Sequence, residues 1–224
     1  MSLFVLLSMA AAYLIGSIPM GYVIVKAITG QDVRQVGSGR TGGTNAMRAA
    51  GLAAGLLTAL LDMLKGAAGV WLAKAILPNE TQALGMALAG LCVILGHNHS
   101  IFLGFKGGAG GGPAVGAAMA MWPWSALIVI PIGVAVFYFV GYASVTTIAA
   151  GVTITALFAY RTFVLRSPGA EAEYVLYGVG AIFLLVWALR PNLKRLLRGE
   201  ERLHGFRAKW AKQAGTGESS SHGK

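Results

Sequence analysis

The chain has 224 residues, of which 56% are apolar and only 12% charged, with a mean hydropathy of +0.67. Soluble domains carry about 25% charged residues, so this composition excludes a soluble globular domain, a disordered chain and a disulfide scaffold, and it points to an all-α, polytopic membrane bundle. The net charge of +10 does not signal nucleic acid: eight of the eighteen Lys/Arg residues lie in the last 34 positions and four more between Lys26 and Arg48, the clustering typical of cytoplasmic segments.

Residues 3–25 form an uncharged run long enough for one crossing. No basic segment precedes it, and Gly16, Pro19 and Gly21 interrupt it, so it reads as a span and not a cleaved signal. A second apolar segment covers 49–73 and carries Asp62 and Lys65; a third covers 81–95, with the lone Cys92 inside it. Residues 107–160 then hold 54 positions without a formal charge, and a last span covers 174–189, closed by Arg190-Pro191.

Parity decides how often the uncharged stretch crosses. The basic segment 26–48 and the basic tail 191–224 belong on one side, which requires an odd total. Three crossings, with turns at Trp122-Pro123-Trp124 and Gly141-Tyr142, give about seven spans, the N-terminus outside and the C-terminus cytoplasmic. Arg161 and Arg166 then fall outside, against the general bias. The membrane domain is read as residues 1–202, and 203–224 as a basic polar tail, disordered at its end.

Three glycine-rich polar segments fall on the cytoplasmic side in this scheme. The first contains Gly37, Ser38, Gly39, Arg40, Thr44, Asn45 and Arg48. Its glycines let backbone N–H groups converge on an anion, Thr44 or Asn45 is placed to cap the following helix, and Arg48 offers a fork for phosphate oxygens. The same residues also read as a flexible loop with a cap. In the second segment, Asp62 and Lys65 share a helix face at i, i+3 and can pair; a charge at membrane depth marks a functional pathway, but a structural ion pair holding neighbouring helices is the favoured reading. The third runs from Gly96 to Pro113 and holds His97, Lys106, Gly107, Gly108 and Gly110. His97 is a candidate general base, or a histidine bonded to a loop carbonyl, and Lys106 with the glycines suggests an oxyanion cradle. His97-x-His99 lacks the ligands for zinc, and neither a P-loop nor a nucleophile elbow occurs. These segments suit a substrate with a phosphate head and an acyl tail.

At these residues the sequence resembles the acyl-phosphate-dependent glycerol-3-phosphate acyltransferases of bacteria, the PlsY family. The resemblance runs through Gly16-Ser17-Ile18-Pro19, Gly37-Ser38-Gly39-x-x-Gly42-x-Thr44-Asn45-x-x-Arg48, Leu61-Asp62-x-x-Lys65-Gly66, Gly96-His97-Asn98, Lys106-Gly107-Gly108, Gly141-Tyr142-x-Ser144 and Asn192-x-x-Arg195-Leu196-Leu197-x-Gly199-x-Glu201. It implies a seven-span enzyme of the bacterial inner membrane. The implied reaction moves an acyl group from acyl phosphate to the 1-hydroxyl of glycerol 3-phosphate, giving lysophosphatidic acid without metal or other cofactor. Carried over by motif, Ser38 and Arg48 hold phosphate, His97 and Asn192 line the polar site, and Ser144 lies near it. The family's third loop usually carries a lysine where this chain has Ala109. Losing one charge-assisted phosphate contact costs about 1.5–3 kcal/mol, roughly tenfold to a hundredfold or somewhat more in affinity. Arg40 is the candidate replacement for that charge, and a weakened or non-catalytic paralogue that binds phospholipid precursors or a membrane partner is the alternative reading.

Overall fold

The computed structural model describes residues 2–204 together with 207 and 208. Its helices are α1 (Leu3–Ser17), α2 (Met20–Thr29), α3 (Gly43–Ile76), α4 (Asn79–Asn98), α5 (Gly111–Met121), α6 (Trp124–Phe139), α7 (Ala143–Ala159) and α8 (Ala172–Leu197), and no strand occurs among the described residues. Five helical segments are long and apolar enough to cross a membrane, and α6 is a shorter apolar helix. Leucine and phenylalanine side chains such as Phe4, Leu52, Leu127 and Phe183 lie exposed on the outside. That is the outer surface of a bundle solvated by lipid: a multi-pass membrane protein.

The first expected span is two helices, broken where Pro19 follows Ile18. Lys65, reaching across from α3, donates to the Ile18 carbonyl at 2.7 Å, and the turn after α4 adds Ser100 Oγ to the Ser17 carbonyl at 2.5 Å. Backbone polar groups freed by the break are thus satisfied from neighbouring elements, as hydrocarbon requires. The second span starts earlier than the apolar run, at Gly43, but is interrupted at Ala50 and Gly51, where Gly51 adopts φ +86°. A short first piece carries Thr44, Asn45 and Arg48; the long second piece carries Asp62 and Lys65. Neither Thr44 nor Asn45 caps α3, whose N-cap is Gly42 without a side-chain hydrogen bond.

The uncharged stretch folds as α5, α6 and α7, broken at Trp122–Pro123 and at Gly141 (φ +82°), the two turns expected. At about 1.5 Å per residue, the 11 residues of α5 reach only part of the way through the hydrocarbon. Glycines serve packing here as well as loops. A Cβ on Gly116 would sit 1.8 Å from the Met63 carbonyl oxygen and one on Gly66 2.3 Å from that of Pro113, so α5 lies backbone to backbone on α3. This contact holds the third glycine-rich loop over Asp62.

The last span does not close at Arg190-Pro191. α8 continues to Leu197 with Pro191 inside it. Proline removes the N–H that would have bonded the Trp187 carbonyl, and the Arg190 side chain donates to that carbonyl instead, at 3.0 Å. Arg161 is buried, its guanidinium 4.1 Å from the centre of the Trp122 ring, which explains how a cation is tolerated at that end of the bundle. The far end of the polar tail lies outside the described residues. Its first residues, Leu203 and His204, fold back onto Gly141.

Candidate active site

Asn45 organises the first glycine-rich loop. Its amide nitrogen donates to the carbonyls of Val33, Val36 and Arg40 at 2.8–2.9 Å, and its Oδ1 accepts from the Ser38 N–H at 3.1 Å and from Arg48 at 3.4 Å. With the side chain 2% exposed, these bonds shape the loop. The turn that brings Ser38 round needs glycine at 37: φ is +56°, and a Cβ would fall 2.4 Å from Asn45 Oδ1.

Arg40 is brought beside Ala109, but as a strut. Its guanidinium donates to Asn192 Oδ1 at 3.1 Å, to the Gly108 carbonyl at 3.0 Å and to the Ala188 carbonyl. The Ala188 carbonyl lies in the turn of α8 that precedes Pro191. One cation therefore ties the first loop to the third loop and to α8. Burial, together with the charge of Arg195, lowers its pKa, although a guanidinium remains protonated.

Beneath the loops, Asp62 Oδ1 lies 2.9 Å from Lys65 Nζ and 3.5 Å from His97 Nδ1, all three side chains being less than 5% exposed. Lys65 also donates to the Ile18 carbonyl at the break after α1, so the pair bridges α3 to the first two helices. The carboxylate also faces the imidazole, which links it to the chemistry. The third loop packs on His97: the Gly108 N–H donates to the His97 carbonyl at 3.0 Å, and a Cβ on Gly108 would fall 2.0 Å from Nε2. A Cβ on Gly107 would similarly meet the His97 carbonyl oxygen at 2.1 Å.

These groups surround one cavity of about 590 Å³. Gly37, Ser38, Thr44, Arg48, Asp62, His97, Gly110, Ser144 and Asn192 line it, with Ala109 on the third loop. The other arm is apolar, formed by Leu52 and Leu56 of α3, Val129, Ile130 and Val134 of α6, and Phe137. Leu52, Leu56 and Val134 are also more than 60% exposed on the outer surface, so this arm opens sideways between α3 and α6. Gly110 is the N-cap of α5 and makes no side-chain hydrogen bond there, and the first N–H groups of the helix border the cavity with the positive end of its dipole.

Lys106 does not line this cavity. It is exposed and borders a neighbouring one of about 630 Å³, with Gly107, Gly108, Arg190 and Lys194. Ser38, Arg40, Asn192 and Arg195 line both. Gly39, also with positive φ, shapes the loop and lines neither. Arg195 and Glu201 stand in the last motif of the resemblance without a role assigned to them, and His204 stands in no motif. Arg195 was legible, since i, i+3 spacing from Asn192 puts it on the same helix face. Glu201 accepts from Ser144 Oγ at 2.5 Å and from Asn192 Nδ2 at 3.4 Å, bringing a carboxylate to the polar end.

The site thus has a polar end rich in cations and hydroxyls, joined to an apolar arm open to lipid. Residues 6–199 match the glycerol-3-phosphate acyltransferase family. The chain is 40% identical to glycerol-3-phosphate acyltransferase 2 of Moorella thermoacetica, over 91% of this chain and 99% of that one, and 38% identical to a Thermus thermophilus glycerol-3-phosphate acyltransferase, over 88% and 94%. The crystal structure of PlsY, an integral membrane glycerol 3-phosphate acyltransferase, in its glycerol 3-phosphate form superposes with a TM-score of 0.77 at 33% identity, covering 90% of this chain and 96% of PlsY; its lysophosphatidic acid form gives 0.75 at 30%. With family match, sequence identity and fold in agreement over nearly the whole described chain, the protein is a member of the glycerol-3-phosphate acyltransferase family.

Proposed function

We propose that this acyltransferase moves an acyl group from acyl phosphate to the 1-hydroxyl of glycerol 3-phosphate at the inner membrane of a bacterium, with the glycine-rich loops facing the cytoplasm. The observation that carries the reading is the two-part cavity, which accepts a phosphate-bearing polar head beside an acyl chain. The glycerol 3-phosphate and lysophosphatidic acid forms of PlsY support the polar substrate and the product.

In this reading the acyl chain of the donor enters from lipid between α3 and α6, and Arg48 and Ser38 hold phosphate, with Arg195, Ser144 and Asn192 completing the polar end. The hydroxyl attacks the carbonyl carbon of the mixed anhydride, the ester bond forms and the bond to phosphate breaks. His97, oriented by Asp62, takes the hydroxyl proton, which ends on the released phosphate. N–H groups at the start of α5 face the oxygen on which charge develops. Phosphate is a good leaving group, so positioning and charge stabilisation supply most of the rate without a covalent enzyme intermediate. Residues 1–202 form the catalytic unit.

The direct test is release of lysophosphatidic acid from purified protein given the two substrates. No product above background, with Ala109→Lys restoring it, would replace this reading with that of a degenerate paralogue. In the active enzyme, Ala109→Lys is expected to lower the KM for glycerol 3-phosphate about tenfold, the value of one added charge-assisted contact. An unchanged KM would leave the phosphate charge to Arg48 and Arg195. The apolar arm makes its own prediction. Gly133 of α6 lines the cavity, and a Cβ added there meets no atom within 4 Å. Gly133→Leu should therefore fill the arm and reduce kcat/KM for long acyl phosphates roughly tenfold relative to short ones, read from competition between two chain lengths.

A further inference from the structure

The family match ends at residue 199, yet the chain beyond it stays at the cavity. Gly199 turns it back with φ +72°, and the Glu200 N–H closes the turn on the Arg195 carbonyl at 2.8 Å. Three residues after Glu201, the His204 N–H donates to the Gly141 carbonyl at 2.8 Å, and its ring stacks on Phe137 of α6 with centroids 5.2 Å apart. The ring edge then meets Arg48, which lines the cavity: Nε2 lies 2.5 Å from a terminal nitrogen of its guanidinium. A guanidinium can only donate, so Nε2 accepts and the imidazole is neutral with its proton on Nδ1. The other terminal nitrogen of Arg48 is held by Asn45 Oδ1 at 3.4 Å. Arg48 is thus fixed from two sides, by its own loop and by a residue outside the family match.

We propose that His204 is a positioning residue for the acyl transfer: its neutral ring holds the Arg48 guanidinium at the phosphate site, and the hold on glycerol 3-phosphate weakens when the ring is protonated. The proposal rests on Arg48 being a phosphate ligand. The groups facing the ring are Arg48 from α3, Phe137 from α6, the Gly141 backbone, and Glu201 and Arg202 on its own segment; Arg195 of α8 faces Arg48. Burial, followed by the charge of Arg48, pushes the His204 pKa below the usual histidine value, with Arg202 acting the same way and Glu201 opposing. The ring is therefore neutral near pH 7. As pH falls through its pKa the acceptor is lost and a second cation faces Arg48, so the effect is a loss of affinity on the acid side.

The test compares wild type, His204→Ala and His204→Gln in detergent with both substrates. His204→Ala is expected to raise the KM for glycerol 3-phosphate about tenfold near neutral pH, with kcat and the KM for acyl phosphate little changed, the effect of one lost hydrogen bond to a charged group. Glutamine offers an acceptor at the position of Nε2 but does not titrate, so His204→Gln should rescue the KM. The substrate phosphate itself titrates at about pH 6, equally in both enzymes. The ratio of wild-type to His204→Gln KM therefore isolates the ring, and it should climb as pH is lowered from about 8 to about 5.5. Wild type that makes no product would overturn the functional reading and this proposal together. Wild type that turns over while His204→Gln keeps the same pH profile would overturn the positioning role alone, even if His204→Ala fails to fold.

Discussion

His97→Ala is expected to lower kcat on the order of 10²- to 10⁴-fold, the usual contribution of a positioned general base, with a much smaller change in the KM for glycerol 3-phosphate. The reason is geometric. Nδ1 faces Asp62 Oδ1 at 3.5 Å, so the ring's proton is drawn to that side and Nε2 is left as the acceptor beside the third loop. Gly108 lies so close to the Nε2 edge of the ring that no side chain fits between them, which confines the imidazole from the side opposite Asp62. Steady-state kinetics on the purified variant check this. A kcat within a few-fold of wild type would remove His97 from the proton path and leave the hydroxyl proton to the departing phosphate.

Asp62→Ala is expected to destabilise the protein by about 3–5 kcal/mol, the penalty for leaving one partner of a buried ion pair uncompensated. Lys65 and Asp62 are 2% and 3% exposed, so water cannot replace the lost partner. Lys65 would also keep its bond to the Ile18 carbonyl, so the stranded ammonium cannot swing away without undoing the break between α1 and α2. Thermal unfolding in detergent measures the loss. The double variant Asp62→Leu/Lys65→Met should recover most of the stability, because a buried pair is replaced by apolar side chains at little net cost. It should not recover activity, because His97 would still lack its carboxylate. Recovery of both would make Asp62 purely structural; an undiminished melting temperature in Asp62→Ala would show that the pair is not needed to hold the helices.

Both predictions concern residues whose importance is visible in the sequence, since charges and histidine stand out in an apolar background. The breaks at Pro19, Trp122-Pro123 and Gly141 were visible for a similar reason: proline and glycine act locally, on the residues beside them. Pro191 shows where local reasoning fails. A missing N–H predicts a helix end, but Arg190 satisfies the freed Trp187 carbonyl, and Arg40, 148 residues away, adds a donor to the next one. Asn45 illustrates the same limit. As an expected cap it belonged to the helix that follows, whereas its amide reaches back to three carbonyls of the preceding loop.

Composition and charge placement by themselves determined that this is a helical multi-pass membrane protein, because no other solvent accommodates 56% apolar residues with 12% charged ones. The motifs pointed to a site for a phosphate head and an acyl tail, and their resemblance to a known family implied the reaction. Only the tertiary structure decided which of those side chains meet. It turned Arg40 into a strut, moved Lys106 to a second cavity, and drew Glu201 and His204 back over Ser144 and Arg48. The reason is that a buried polar atom takes whichever partner the packing brings within about 3 Å, and in this chain the partners are often more than a hundred residues away.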